Sequence, residues 1–162
     1  MRKILGIAAG LITMAVAAGG AGAAGASTRP ALSGTEHFQF VSTSATSNRG
    51  DVIAYGAFTA RALDIEGNKV DTFKFANGSF KVTHSPGKGP QTFNPKTCLG
   101  LVSQHGTYTI GHGTGAYAGI SGRGKYQLSI VFIGAKSGGK CVRNKPPVVA
   151  EIIIRASGPV HL

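Results

Sequence analysis

Glu151 and Arg155 stand four residues apart inside an otherwise apolar run over residues 148–157, and on an extended strand that spacing puts both side chains on one face. Turned inward, such a pair could orient a polar ligand atom or pass a proton. Turned outward, it is an ordinary pair of surface charges, and the wholly apolar alternate face of Val148, Ala150, Ile152, Ile154 and Ala156 favours that reading. Arg61 raises the same question on a face shared with Tyr55 and Thr59. Tyr55, Arg61, Glu151 and Arg155 are therefore the candidate ligand contacts, and no catalytic set can be assigned. The chain has only six carboxylates; among them Asp51, Asp64 and Glu66 fall in or beside turn signals, where solvation and backbone hydrogen bonds account for them. His37, His84, His105, His112 and His161 are scattered without close pairs, so neither a metal site nor a cofactor is expected. No G-x-S-x-G elbow is present to suggest a serine hydrolase. The phenylalanines, spaced by two where they cluster, read as core before they read as a ligand cage.

These residues need strands to hold them. Residues 37–44, 52–63, 69–76, 80–84, 99–110, 125–133 and 148–157 carry β-branched and aromatic alternation, and no helical period is convincing beyond the leader. Turn chemistry separates them: residues 47–51, Glu66-Gly67-Asn68, and Asn77-Gly78, which predicts a type I′ hairpin. Asn77-Gly78-Ser79 also matches a glycosylation acceptor, but the turn explains the residues without a glycan. A proline-rich loop spans 85–97. A basic loop over 135–147 holds Lys136, Lys140, Arg143 and Lys145. Between the loops lies the strongest signal of the chain, residues 110–125, with six glycines in the bend of a long hairpin. Seven or eight antiparallel strands joined mostly by short turns predict an all-β, closed or nearly closed barrel. In an up-and-down order the two loops share one end, so Cys98 and Cys141 meet there. The two-cysteine count favours a disulfide, which would contribute roughly 4 kcal/mol in the chain-entropy model.

Arg2 and Lys3 precede an uncharged run over 4–18 and a Gly/Ala tract to Ala26, the pattern of a secretory signal peptide. Cleavage is expected after Ala26, with Ala23 as the competing site. The division is then leader 1–26, flexible lead-in 27–35 and one domain over 36–162, an exported protein not embedded in a membrane. The net charge of +11 includes Arg2 and Lys3, which leave with the leader. Such a balance suits attraction to anionic polymers or plain solubility, and without an aromatic-interleaved basic motif no specific nucleic-acid recognition is expected.

The stretch Gly113-Thr114-Gly115-Ala116-Tyr117-Ala118-Gly119-Ile120-Ser121-Gly122 resembles the glycine-rich hairpin of the allene oxide cyclase and dirigent families. The likeness is sharp over those ten or so residues and looser over 99–132. It assigns Gly113, Gly115, Tyr117, Gly119 and Gly122 a structural role in the hairpin, and it implies an eight-stranded calycin-like barrel with a mostly apolar lumen. Members of those families cyclise a lipid-derived epoxide or steer phenol-radical coupling, and related barrels form dimers and trimers. The chemistry does not carry over residue by residue: the first strand reads Gln39-Phe40-Val41-Ser42-Thr43, without a carboxylate. The expectation is an exported barrel that holds a small apolar or phenolic ligand, with or without turnover. The alternative is a cationic module whose basic loop docks on an anionic envelope polymer or a partner protein.

Overall fold

Alternate residues of each strand must face opposite ways, so the apolar set at every second position defines an inside. Phe38, Phe40, Val52, Ala54, Phe73, Phe75, Phe80 and Val82 follow that rule, and all are buried. The computed structural model describes residues 31–44 and 46–162. The leader expected over 1–26 and the lead-in to residue 30 lie outside them.

The strands are β1 (Ser33–Ser42), β2 (Arg49–Gly56), β3 (Ala60–Ile65), β4 (Val70–Phe75), β5 (Gly78–Pro86), β6 (Gln91–Phe93), β7 (Leu99–Gly115), β8 (Ser121–Ile133), β9 (Lys136–Ser137), β10 (Lys140–Cys141) and β11 (Val149–His161). Every pairing is antiparallel. The order β5-β4-β3-β2-β1-β11-β8-β7 closes through β5–β7 into an eight-stranded up-and-down barrel, with β6 added outside on β7. The closed antiparallel barrel expected from the sequence is thus present.

Two ends follow from this connectivity. One carries the connections 43–48, 66–69, 87–98 and 134–148, and there Cys98 and Cys141 are bonded with Cα atoms 5.5 Å apart. The other carries the short turns at 57–59, 76–77 and 116–120, together with the meeting of Leu32 and Leu162, whose backbone groups bond reciprocally at 3.2 and 2.8 Å. Phe58, Phe75, Phe80 and Tyr117 fill this turn end, with ring centroids 4.4 to 6.2 Å apart.

Several local expectations are corrected. The long strand over 52–63 is two strands, because the chain folds back at 57–59: Ala57 N donates to Thr35 O, and Phe58 N to Glu36 Oε2 at 2.9 Å. Gly56 makes the fold-back (φ 132°), where a Cβ would sit 2.3 Å from Thr35 O. The hairpin near 77 turns on Ala76-Asn77, since Phe75 pairs directly with Gly78, and it is not type I′: Asn77 is absent from the described non-glycine residues with positive φ, Cys98 and His112. The proline-rich loop contains β6. β1 begins three residues before Glu36, inside the expected lead-in.

The glycine-rich segment is mostly strand rather than bend. β7 and β8 run through it and the reversal occupies only 116–120, where Tyr117 and Ile120 tuck into the core. The strands carry glycine because large rings lie directly over their paired partners inside a narrow barrel. A Cβ at Gly100 would meet Phe132 at 2.1 Å, one at Gly106 Tyr126 at 2.3 Å, and one at Gly124 Tyr108 at 2.6 Å.

Candidate ligand-binding lumen

The inward alternation of β1, β4, β5, β8 and β11 does not fill the barrel throughout. At the turn end Phe38 sits at the centre of an aromatic layer, with ring centroids 5.7 Å from Phe73, 6.1 Å from Phe80 and 6.2 Å from Tyr108. Towards the loop end the side chains diverge and leave an open cavity of about 290 Å³. This is close to the small limit of the ~300–1,000 Å³ range of small-molecule sites. Phe40, Val82, Leu128, Ile130, Ile152 and Ile154 form apolar wall; Asp64, Glu66, Gly67, Asp71, His84, Pro86 and Gln104 add polar and rim positions; the Tyr108 and Tyr126 rings complete it.

The polar members have distinct surroundings. Asp64 is 3% exposed, and its Oδ1 has no hydrogen-bond partner. Burial, reinforced by the charges of Asp71 and Glu66, pushes its carboxyl up to about 8, so at neutral pH it holds its proton. Burial also raises Glu66, with Asp71 adding to the effect. Asp71 is tied down: Oδ1 accepts from Gly67 N at 2.9 Å, and Oδ2 lies 3.5 Å from His84 Nε2. The buried Tyr108 hydroxyl has no partner, and burial pushes it up to about 12, the Glu36 charge adding to it. Tyr126 is raised by burial and by Asp71. Asp64 and Tyr108 are thus both on the cavity wall and each holds one buried polar atom without a partner, the Tyr108 hydroxyl lying over Gly124.

The residues singled out from the sequence lie elsewhere. Arg61 is on the outer face, where Nη2 donates to Asp51 Oδ1 at 2.8 Å, with both side chains largely exposed. Tyr55 stacks outside on His37, centroids 5.0 Å apart. Glu151 and Arg155 are exposed on β11, since Ile152, Ile154 and Ala156 take its inner face. None of the four lines the cavity. A strand gives the barrel one face, and in β11 the apolar one fills it. Asp64, expected beside a turn, instead points inward from the end of β3.

The first strand does carry an inward carboxylate, three residues before the stretch that lacks one. Glu36 is wholly buried at the turn end, holding Phe58 N through Oε2, and burial raises its pKa. Period two identifies the other missed groups as well: Asp71 shares parity with Phe73 and Phe75, His84 with Phe80 and Val82, Tyr108 with Ile110, and Tyr126 with Leu128 and Ile130.

No family model, no curated protein and no solved structure matches this chain. The geometry of the site therefore carries the functional reading. Among the described residues no group of three His, Cys, Asp or Glu side chains is gathered as a metal ion requires. Nor, among them, is any helix long and apolar enough to cross a membrane.

The hairpin residues have definite surroundings. The Tyr117 ring helps close the turn end, a Cβ on Gly113 would meet Tyr117 O at 1.7 Å, and Gly115 and Gly119 have φ of 58° and 87°. A Cβ on Gly122 would sit 2.9 Å from Pro159 O.

Proposed function

We propose that this protein is an exported barrel that binds one small, mainly apolar molecule in its lumen. The observation that carries the reading is the asymmetry of the barrel: an aromatic layer seals one end, and a mainly apolar cavity with a few polar side chains on its wall opens at the other. Enclosure would desolvate the body of the ligand, and the few polar groups would fix its orientation. The disulfide suits an oxidising compartment, in keeping with the leader read from the sequence. Kinship with the allene oxide cyclase and dirigent barrels belongs to the same proposal and rests on the hairpin. Binding is the function put forward; turnover would have to draw on the titratable groups that line the lumen, Asp64, Glu66, Asp71, His84, Tyr108 and Tyr126.

The test uses a neutral solvatochromic dye, Nile red, with the purified protein. Saturable fluorescence enhancement is expected, and Ile152→Trp, which puts an indole into the cavity, should weaken it at least about tenfold while the far-ultraviolet spectrum stays that of the wild type. Enhancement unchanged in that variant would place the dye outside the lumen and reject the reading.

A second reading has its own observation. Lys136, Lys140, Arg143 and Lys145 are all exposed on the connection that the disulfide pins, and the Arg143 guanidinium lies 5.1 Å over the Phe93 ring. Such a loop suits an anionic polymer. Salt-sensitive retention on immobilised heparin, lost when the three lysines become serine, would support it.

A further inference from the structure

The cavity differs in charge from the molecule that contains it. Three of the six carboxylates of the chain, Asp64, Glu66 and Asp71, line it, whereas no Lys or Arg side chain among the described residues does. On a protein of net charge +11 this gathers acid into one concave, low-dielectric place, where water screens it least. Crowded carboxylates alone would show only that these groups tolerate each other. The independent observation is Asp64, which is buried on the cavity wall with Oδ1 lacking any hydrogen-bond donor. His84 does not supply that donor, because its Nε2 is directed to Asp71, at 3.5 Å.

We propose that the lumen selects an apolar cation: a one- or two-ring or short-chain hydrocarbon body against the Phe40–Ile152 walls, with a protonated nitrogen directed at Asp64, Glu66 and Asp71. This inference rests on the reading of the lumen as a binding site. The N–H groups of an ammonium or amidinium supply the donors that Asp64 lacks, and their positive charge favours ionised acids in a cluster where Asp64 otherwise keeps its proton. The Phe40, Tyr108 and Tyr126 rings offer further attraction for a cation brought out of water. A ligand bearing a carboxylate would bring a further negative charge to a mouth already crowded with acidic groups, so fatty acids are selected against. A bare metal ion would leave the apolar walls unused.

Three probes with one body separate the possibilities: 1-naphthylmethylammonium, 1-naphthalenemethanol and 1-naphthoate, each titrated calorimetrically into the wild-type protein at neutral pH. The ammonium is expected to bind at least about tenfold more tightly than the alcohol, and the naphthoate most weakly. Glu66→Gln combined with Asp71→Asn should reduce the preference for ammonium over alcohol to within about threefold. Because Asp71 holds Gly67 N, Glu66→Gln alone serves as the milder variant and should give an intermediate preference. Equal binding of ammonium and alcohol, or a preference that survives in both variants, overturns the inference and leaves the lumen reading intact. If no probe binds and Nile red does not bind either, the lumen reading itself fails.

Discussion

Asp64 carries the largest electrostatic cost in the lumen, and its effect on stability has a definite sign. Below about pH 3.8 both folded and unfolded chains hold the proton. As the pH rises the unfolded chain releases it first, while the native state keeps it until the pH passes about 8. Across that window the native state binds more protons, so stability falls with rising pH, by at most ~1.4 kcal/mol per unit, and levels off above it. Asp64→Asn removes the titration while keeping the shape. The variant should match the wild type near pH 4 and exceed it increasingly towards pH 8, as read from urea denaturation midpoints at several pH values. Parallel pH profiles for the two proteins would show that Asp64 does not retain its proton. At this scale the sequence was least legible: Asp64 adjoins Glu66-Gly67-Asn68 and so looked like a solvated turn residue. Its neighbour across the sheet, Phe73, is what marks its face as inward.

Among the elements, β7 and β8 show why glycines in a strand can be structural without marking a bend. Ala at Gly100 would drive a methyl group into the Phe132 ring, whereas at Gly111 nothing lies within 4 Å of the added carbon. Gly100→Ala is therefore expected to cost about 1–3 kcal/mol from overpacking, and Gly111→Ala to be neutral or to stabilise by up to about 1 kcal/mol through the unfolded chain. Thermal unfolding of the two variants checks the contrast; equal losses would place the role of the glycines in backbone conformation rather than in ring clearance. Strand alternation was legible for β1, β4, β5 and β11, because Phe, Val and Ile recur there at every second position. The break at 57–59 was not, since Phe58 continues the parity of Val52 and Ala54, and only contact with Glu36 from another strand reveals the fold-back. Tyr55, Arg61, Glu151 and Arg155 fell outside the lumen for a related reason. Period two separates two faces, but which one is inside depends on what the whole sheet encloses.

At the scale of the molecule, the closed antiparallel barrel and its disulfide were legible, because loop parity and cysteine placement constrain each other. The bond joins residues separated by 43 positions and encloses the β7–β8 hairpin. Its main effect is expected on the unfolded chain. Replacing both cysteines by serine should lower stability by about 4 kcal/mol while leaving the native circular dichroism spectrum unchanged. A loss far below that would mean that the hairpin persists after denaturation. The reciprocal bonds between Leu32 and Leu162 have a practical consequence of another kind. The chain enters and leaves the barrel at its sealed base, so the barrel is a cup held from underneath. An affinity handle, a fluorescent fusion or a surface tether attached at either end would leave the rim facing the medium, and the protein could be mounted on a sensor chip with every cup upright.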